Sequence, residues 1–417
     1  MSVAIIGAGI GGLSLGLCLH KLNIPFQIYE AVNEIKPLGV GINIQPHAVR
    51  ELNALGLNSE LDNIGLKSKE VAYFSKQGDL IWSEPRGIYA GYNWPQYSVN
   101  RGDLQMLLYK ELTQRAGSNI VRTNATLKTW ENSAEEIELT LVDRKSQRLI
   151  EKSKAEIVIG CDGINSAIRA KLYPDEGPAK WSGIMMWRGT TKGPKFLSGK
   201  SMVMVGEKKK KFVGYPIHKY ADGNVLINWI CDLKFPNDYK WAKQDWHSKG
   251  KLSDLWPSFK DWNFPWLDVA AIIQNTSNIY KYPMVDRDPI HKWTFDQVTL
   301  LGDAAHAMYP IGSNGASQAI LDAVHLARAL EKYGLNSSAL NFYEDQRRGK
   351  VNALIKANRG DGPDKILDIV ADKAPEGFKE ITKVVKMKEL QEIAKKYKLA
   401  AGFDIDELNK TKAVIDH

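Results

Sequence analysis

Gly7, Gly9, Gly11 and Gly12 stand between a short apolar run, Val3 to Ile6, and an apolar-periodic stretch from Leu13 to Leu22. Glycines at this spacing have separate uses. Gly7 allows a tight turn out of a strand, Gly9 lets a ligand approach bare backbone, and Gly12 lets a helix pack closely on the strand. Free N–H groups at the start of that helix, Ile10 and Gly11 among them, favour negative charge such as a pyrophosphate. Pro25 ends the helical pattern, Phe26 to Tyr29 reads as a second strand, and Glu30 closes it. An acidic side chain there accepts hydrogen bonds from ribose hydroxyls. The unit is a βαβ dinucleotide cradle. Alone it suits NAD and FAD equally, since both carry an ADP half.

Two further strand-to-turn signals lie far along the chain. Glu156 to Ile159 runs into Gly160, Asp162 and Gly163, and Val298 to Leu301 runs into Gly302 and Asp303. Gly312, Asn314, Gly315 and Ala316 follow close behind. A carboxylate at a strand end can hold the hydroxyls of a ribityl chain, which FAD has and NAD lacks. The glycines open a helix running to Leu330, whose N-terminus would stabilise negative charge on the pyrimidine side of a reduced flavin. A simple N-cap role for Asp303 is the plainer alternative, but it leaves the glycine cluster unexplained. FAD is the cofactor these residues point to.

Strands alternating with helices predict an α/β fold: a Rossmann-like FAD-binding domain of residues 1–70, 98–178 and 285–360. Residues 71–97 and 179–284 instead alternate β-branched and aromatic residues with polar ones, and nine of the twelve tryptophans fall between Trp181 and Trp293. That texture predicts an inserted substrate domain, mainly antiparallel sheet, with a helical excursion near Trp241 to Trp266. Residues 361–417 read as a C-terminal helical tail. Phe378, Ile381, Val385, Leu390 and Ile393 recur near helical spacing among lysines, which suits a helix packed on the body better than one lying on a membrane. Lys208 to Lys211, between two β-like runs, reads as a solvated hairpin tip.

The 417 residues, 44% hydrophobic and 25% charged, have the composition of a globular enzyme. The formal charge of +8 gathers in the lysine run and the tail, and no nucleic-acid motif accompanies it. No apolar stretch is long enough for a membrane span, and the glycine-broken start is unlike a signal peptide. Cys18, Cys161 and Cys231 are far apart in apolar runs and read as reduced thiols, so a cytoplasmic location is expected. Neither HExxH nor CxxC occurs, and no metal is expected.

With the three motifs in order and at family spacing, the chain resembles the class A FAD-dependent aromatic hydroxylases, such as the 4-hydroxybenzoate and salicylate hydroxylases. Within that group it is similar to the phenazine-modifying hydroxylases, through residues 37–46, 82–87, 186–189, 282–289 and 308–320. The likeness fades beyond Arg359. It implies roles for single residues. Glu30 would bind the adenosine ribose, Leu127 flank the adenine, Arg101 meet the pyrophosphate and Asp303 hold the ribityl chain. Gly41 and Ile42 would line the isoalloxazine on one side and Gly312 to Ala316 on the other, with Asp162 serving both FAD and NAD(P)H. On position alone Arg101 reads as a surface ion pair.

The resemblance also implies chemistry. NADH or NADPH, with no second cradle, would reduce the flavin and leave. O2 would then give a C4a-hydroperoxyflavin that passes one oxygen atom to a small aromatic or heteroaromatic substrate, a phenazine-like or aromatic carboxylic acid. Met185, Trp187, Arg188, Tyr215 and Trp229 lie on strands expected to face the flavin and are the substrate-pocket candidates. Arg188 would pair with a carboxylate, and Tyr215 or His218 would deprotonate a phenol. His306 reads as structural or flavin-adjacent. A homodimer is an open assembly. A flavin dehydrogenase, reductase or halogenase on the same fold, and a non-catalytic flavin-binding protein, also stay open.

Overall fold

In a computed structural model, which describes residues 2–133, 136–236, 238–240, 248–360 and 362–416, the three motif strands lie side by side. The first sheet runs in the order Thr294–Phe295, Val298–Leu300, Ile157–Gly160, Val3–Ile6, Phe26–Tyr29, Val121–Arg122. Every pairing is parallel except the hairpin at the Thr294 edge. Val3 to Ile6 are all buried, as continuous apolar runs in a parallel sheet must be. Parallel strands end on the same side, so Gly7, Gly160 and Gly302 open at one sheet edge. Motifs far apart in sequence become one site. The first helix spans Ile10–Lys21, earlier than the apolar periodicity suggests, because Gly11 and Gly12 are themselves helical.

A second sheet has seven strands, in the order Tyr280–Asp286, Lys180–Gly193, Val225–Lys234, Lys210–Lys219, Ser201–Glu207, Glu70–Phe74, Leu80–Pro85. It is antiparallel apart from the Ser201–Glu207 and Glu70–Phe74 pair. Register separates its faces. Tyr73, Met204, Val213, Ile230 and Arg188 line up across the strands on one face, and Phe74, Val205, Phe212, Cys231 and Trp187 on the other. The second group packs with Leu255, Phe259 and Ile273 of the helices Leu252–Phe259 and Val269–Gln274. Of the expected helical excursion, Trp241 and Trp246 lie outside the described residues.

The first face is covered by the C-terminal segment. Ile366, Leu367, Val370, Val385 and Leu390 pack on Val71, Tyr73, Met202, Met204, Val213 and Tyr215. The helix Met387–Ala401 buries Leu390, Ala394, Tyr397 and Ala401. Of the expected stripe only Leu390 and Ile393 lie on it, while Ile381 is in a 3-10 turn and Phe378 and Val385 are outside any helix, although all five pack against the second sheet. Buried Glu51 holds the chain end by accepting from the N–H groups of Val414 (3.0 Å) and Ile415 (3.2 Å). Among the described residues no helix is long and apolar enough to cross a membrane.

The lysine run departs from the expected solvated tip. Lys209 is exposed, but Lys211 is buried. The pleat brings Lys211 opposite Asp232, and its ammonium pairs with Asp232 at 3.2 Å and with Asp364. Burial works against that charge, and the two carboxylates outweigh it. A separate three-stranded antiparallel sheet, Thr126–Asn132, Ile137–Val142 and Leu149–Ala155, escaped the sequence reading.

Candidate active site

The cradle separates its glycines by function. Gly7 has φ +110°, and a Cβ there would lie 2.4 Å from the Cys161 carbonyl oxygen. A Cβ on Gly12 would lie 2.0 Å from the Gly7 carbonyl oxygen, whereas one on Gly9 meets nothing within 4 Å. The fold itself requires Gly7 and Gly12. Gly9 fronts open space at a helix N-terminus, the place a pyrophosphate needs. Glu30 accepts from the N–H groups of Ala8 (2.7 Å) and Val32 (3.0 Å). Buried Leu127 lies just past Ala125, whose N–H donates to the Glu30 carbonyl at 2.9 Å.

Arg101 opens the helix Arg101–Ala116 and donates to Gln105 Oε1 at 2.9 Å. Burial lowers its pKa, while the charges of Asp303 and Glu30 act to raise it. Asp303 is reached by solvent yet hemmed in by protein. Desolvation raises its pKa, with His306 and Arg101 opposing. Asp162 Oδ2 accepts from the N–H groups of Ala167 (2.8 Å) and Ile168 (3.3 Å), and its Oδ1 is buried without a partner. These donors and acceptors fit a dinucleotide carrying a ribityl chain.

Two residues missed in the sequence brace this edge. Buried Arg169 donates to the carbonyls of Ala304 (3.1 Å) and Ala305 (2.7 Å) and, through Nε, to Glu176 (2.8 Å). It ties the Asp162 segment to the Asp303 segment. Asp322 accepts from Gly302 N–H (3.1 Å) and Arg347 Nε (2.8 Å), and its Oδ2 is 2.5 Å from His306 Nε2. Burial opposes the Asp322 charge, but His306 and Arg347 hold its pKa well below the carboxylate range. His306 is thus part of a buried brace.

The strand Gly41–Ile44 is clamped at its first residue, Gly41, from the second sheet. The Gly41 carbonyl accepts from Arg188 Nη2 (2.6 Å) and the Tyr215 hydroxyl (2.7 Å), and its N–H donates to Asn228 Oδ1 (2.6 Å). These bonds set Arg188 and Tyr215 against the Gly41 backbone. Arg188 spends a donor on backbone. Tyr215 gives its proton to the same carbonyl, and burial pushes its pKa up to about 12, so it is a poor base. His218 is exposed at its strand end, edge-on to Tyr220 at 4.8 Å. Met185, Trp187 and Trp229 belong to the core on the opposite face; Trp229 donates to Thr276 Oγ1 at 2.9 Å. Neighbouring strand positions point to opposite faces, so the candidates divide by parity.

On the other side, Gly312 has φ +69°, and a Cβ there would lie 1.9 Å from the Tyr397 hydroxyl. That hydroxyl accepts from Asn314 Nδ2 (3.0 Å) and lies 2.9 Å from Asn358 Oδ1. The start of the helix Gly315–Tyr333 faces Asp303, whose Oδ1 is 4.0 Å from a Cβ placed on Gly315. Between these segments and the sheet lies a cavity lined by Gln45, Tyr73, Arg86, Met202, Met204 and Tyr397 among others. It is narrow, about 30 Å³, where one water needs roughly 10–15 Å³, so its walls must part for an aromatic ring. Gln45 Oε1 is buried without a partner. None of these six was singled out in the sequence, although Gln45 falls in the 37–46 stretch, Arg86 in the 82–87 stretch, and Tyr397 shares a helical face with Leu390, Ala394 and Ala401.

The class follows from this geometry and from a family match. Residues 1–358 match the family model described as an FAD binding domain, and the chain belongs to that family. It is an FAD-dependent monooxygenase, reduced by NAD(P)H and consuming O2. Over 361 residues it is 42% identical to the phenazine 1,6-dicarboxylic acid hydroxylase PhzS of Lysobacter antibioticus, covering 86% of this chain and 89% of the relative. It is 27% identical over 379 residues to the 6-hydroxynicotinate 3-monooxygenase of Pseudomonas fluorescens, covering 89% and 90%. In fold it is similar to HpxO of Klebsiella pneumoniae, solved with FAD and uric acid, with TM-score 0.71 and 21% identity over 99% of this chain and 97% of that one.

Proposed function

We propose that this monooxygenase hydroxylates a fused, nitrogen-containing aromatic carboxylic acid of the phenazine type. The observation that carries the reading is the 42% identity, spread over 86% of the chain, to a phenazine dicarboxylic acid hydroxylase. Bound FAD supplies the activation of O2 once NAD(P)H has reduced it. The chain binds, orients and excludes water. Glu30, Arg101, Asp303 and the helix after Gly9 hold the cofactor. Arg188, Tyr215 and Asn228 fix Gly41, and Tyr397 with Asn314 fixes the facing loop. Met202 and Met204 give the cavity an apolar wall that keeps water from the reacting ring. Gln45 Oε1 accepts a ligand N–H or O–H. Cys18, Cys161 and Cys231 are free thiols, in keeping with work in the cytoplasm.

NAD(P)H oxidation, O2 uptake and product mass test the reading, with phenazine-1-carboxylate, phenazine-1,6-dicarboxylate, hydroxynicotinates and hydroxybenzoates as substrates. The expected result is coupled turnover and a one-oxygen mass gain with a phenazine acid. Coupled hydroxylation of a monocyclic acid with no phenazine turned over would overturn it.

A further inference from the structure

We propose that Arg86 anchors a carboxylate of the aromatic substrate, and that Lys398 from the C-terminal helix leaves Arg86 free to do so. The inference rests on the aromatic-acid reading and names the group that recognises the acid.

Arg86 lines the same cavity as Gln45, Gly312 and Ser313. Among the described residues its one ion pair is to Glu84, Nη2 to Oε2 at 3.0 Å, and the other oxygen of Glu84, Oε1, pairs with Lys398 Nζ at 2.5 Å. The three side chains are only 15%, 8% and 16% exposed for Arg86, Glu84 and Lys398. Two cations share one carboxylate, so a positive charge is left over in a poorly solvated place. Such a charge is costly unless an anion meets it. Lys211 with Asp232 and Asp364 is the reverse case, one cation between two carboxylates, and among the described residues no ion pair links that cluster to Arg86 or Lys398.

Guanidinium carries five donors in a planar fork matched to a carboxylate. One pairing with Glu84 leaves donors for a second acid. A substrate held there by its carboxylate would extend its rings past Met202 and Met204 toward Gln45 and Gly312. Arg86 stands beside Arg188 as a carboxylate partner; Arg188 gives Nη2 to the Gly41 carbonyl and keeps a buried Nε without a partner. Lys398 lies beyond residue 358, where the family match ends, so the anchor draws on a segment outside the shared domain.

The test compares phenazine-1-carboxylic acid with phenazine-1-carboxamide, each titrated into FAD-loaded enzyme and followed by flavin absorbance and fluorescence. The wild type should bind the acid about tenfold or more tighter than the amide. Arg86→Met should weaken the acid by about 10–100-fold, the range of one charged hydrogen-bonded contact, and the amide by less than about threefold. Arg86→Lys should fall between, and Lys398→Met should also erode the acid preference, because Glu84 then neutralises Arg86 alone. An acid preference that survives Arg86→Met overturns the anchor. If Arg86→Met loses FAD, a preference unchanged in both Arg86→Lys and Lys398→Met does the same. Equal binding of acid and amide by a wild type that hydroxylates both overturns the anchor and leaves the phenazine reading standing. A wild type that hydroxylates neither of these nor phenazine-1,6-dicarboxylate overturns the phenazine reading, while the acid-to-amide binding ratio still decides the anchor.

Discussion

Acid should unfold this protein partly through His47. Its ring is 1% exposed, stacks near Phe403 at 5.3 Å, and has Nε2 3.4 Å from the Gln318 side-chain amide. Its Nδ1 is buried without a partner, so nothing in its surroundings welcomes a second proton. Burial, then Arg347 and Arg50, push its pKa down to about 3. In the unfolded chain the value is about 6.5. A depressed folded pKa means stability is fully present above the unfolded value and is lost as pH falls toward the folded one. At pH 5.5 the unfolded histidine is protonated about ten to one and the folded one hardly at all. The loss is therefore about 1.4 kcal/mol from this group. Urea unfolding, followed by tryptophan fluorescence at pH 7.5 and pH 5.5, should show the wild type losing about that much more stability on acidification than His47→Gln. Equal losses in the two proteins would refute the reasoning.

Gly9→Ala and Gly12→Ala should part company. The first meets no protein atom within 4 Å and should fold but weaken FAD binding, about tenfold or more by equilibrium dialysis, whereas the second lies 2.0 Å from the Gly7 carbonyl oxygen and should cost the fold itself, read by soluble yield. Arg169→Met removes the link between the Asp162 and Asp303 segments and leaves Glu176 with less compensation. It should lower stability by about 3–5 kcal/mol and accelerate FAD loss in a thermal melt followed by flavin fluorescence. Tyr397→Phe leaves the Asn314 amide short of an acceptor. A loss of about 1–2 kcal/mol is expected, together with a larger share of NAD(P)H oxidation ending in hydrogen peroxide because the Gly312 loop is less firmly set.

What could be read in the sequence was whatever depends on local pattern. Val3 to Ile6 and Phe26 to Tyr29 are strands as expected, and the glycine turns announce themselves because no other residue fits at Gly7 or Gly12. Strand parity was harder. Trp187 and Arg188 are adjacent yet serve opposite faces, and only pairing with Cys231 and Ile230 tells which face meets the flavin. Long-range partners were beyond reach. Nothing near Lys211 in sequence foretells Asp364, and nothing near Glu84 foretells Lys398. The tail's apolar residues were visible, but not that Phe378 and Val385 lie outside any helix, and their target exists only once the second sheet has formed.

The most direct measurement is isotopic. FAD-loaded enzyme, NAD(P)H and a phenazine carboxylic acid are incubated under 18O2 in ordinary water, and the product is weighed by mass spectrometry. One atom of 18O in the aromatic product, matched to one NAD(P)H consumed, is the predicted result. Label absent from every aromatic product, with the electrons of NAD(P)H recovered as hydrogen peroxide or oxygen drawn from water, would contradict it.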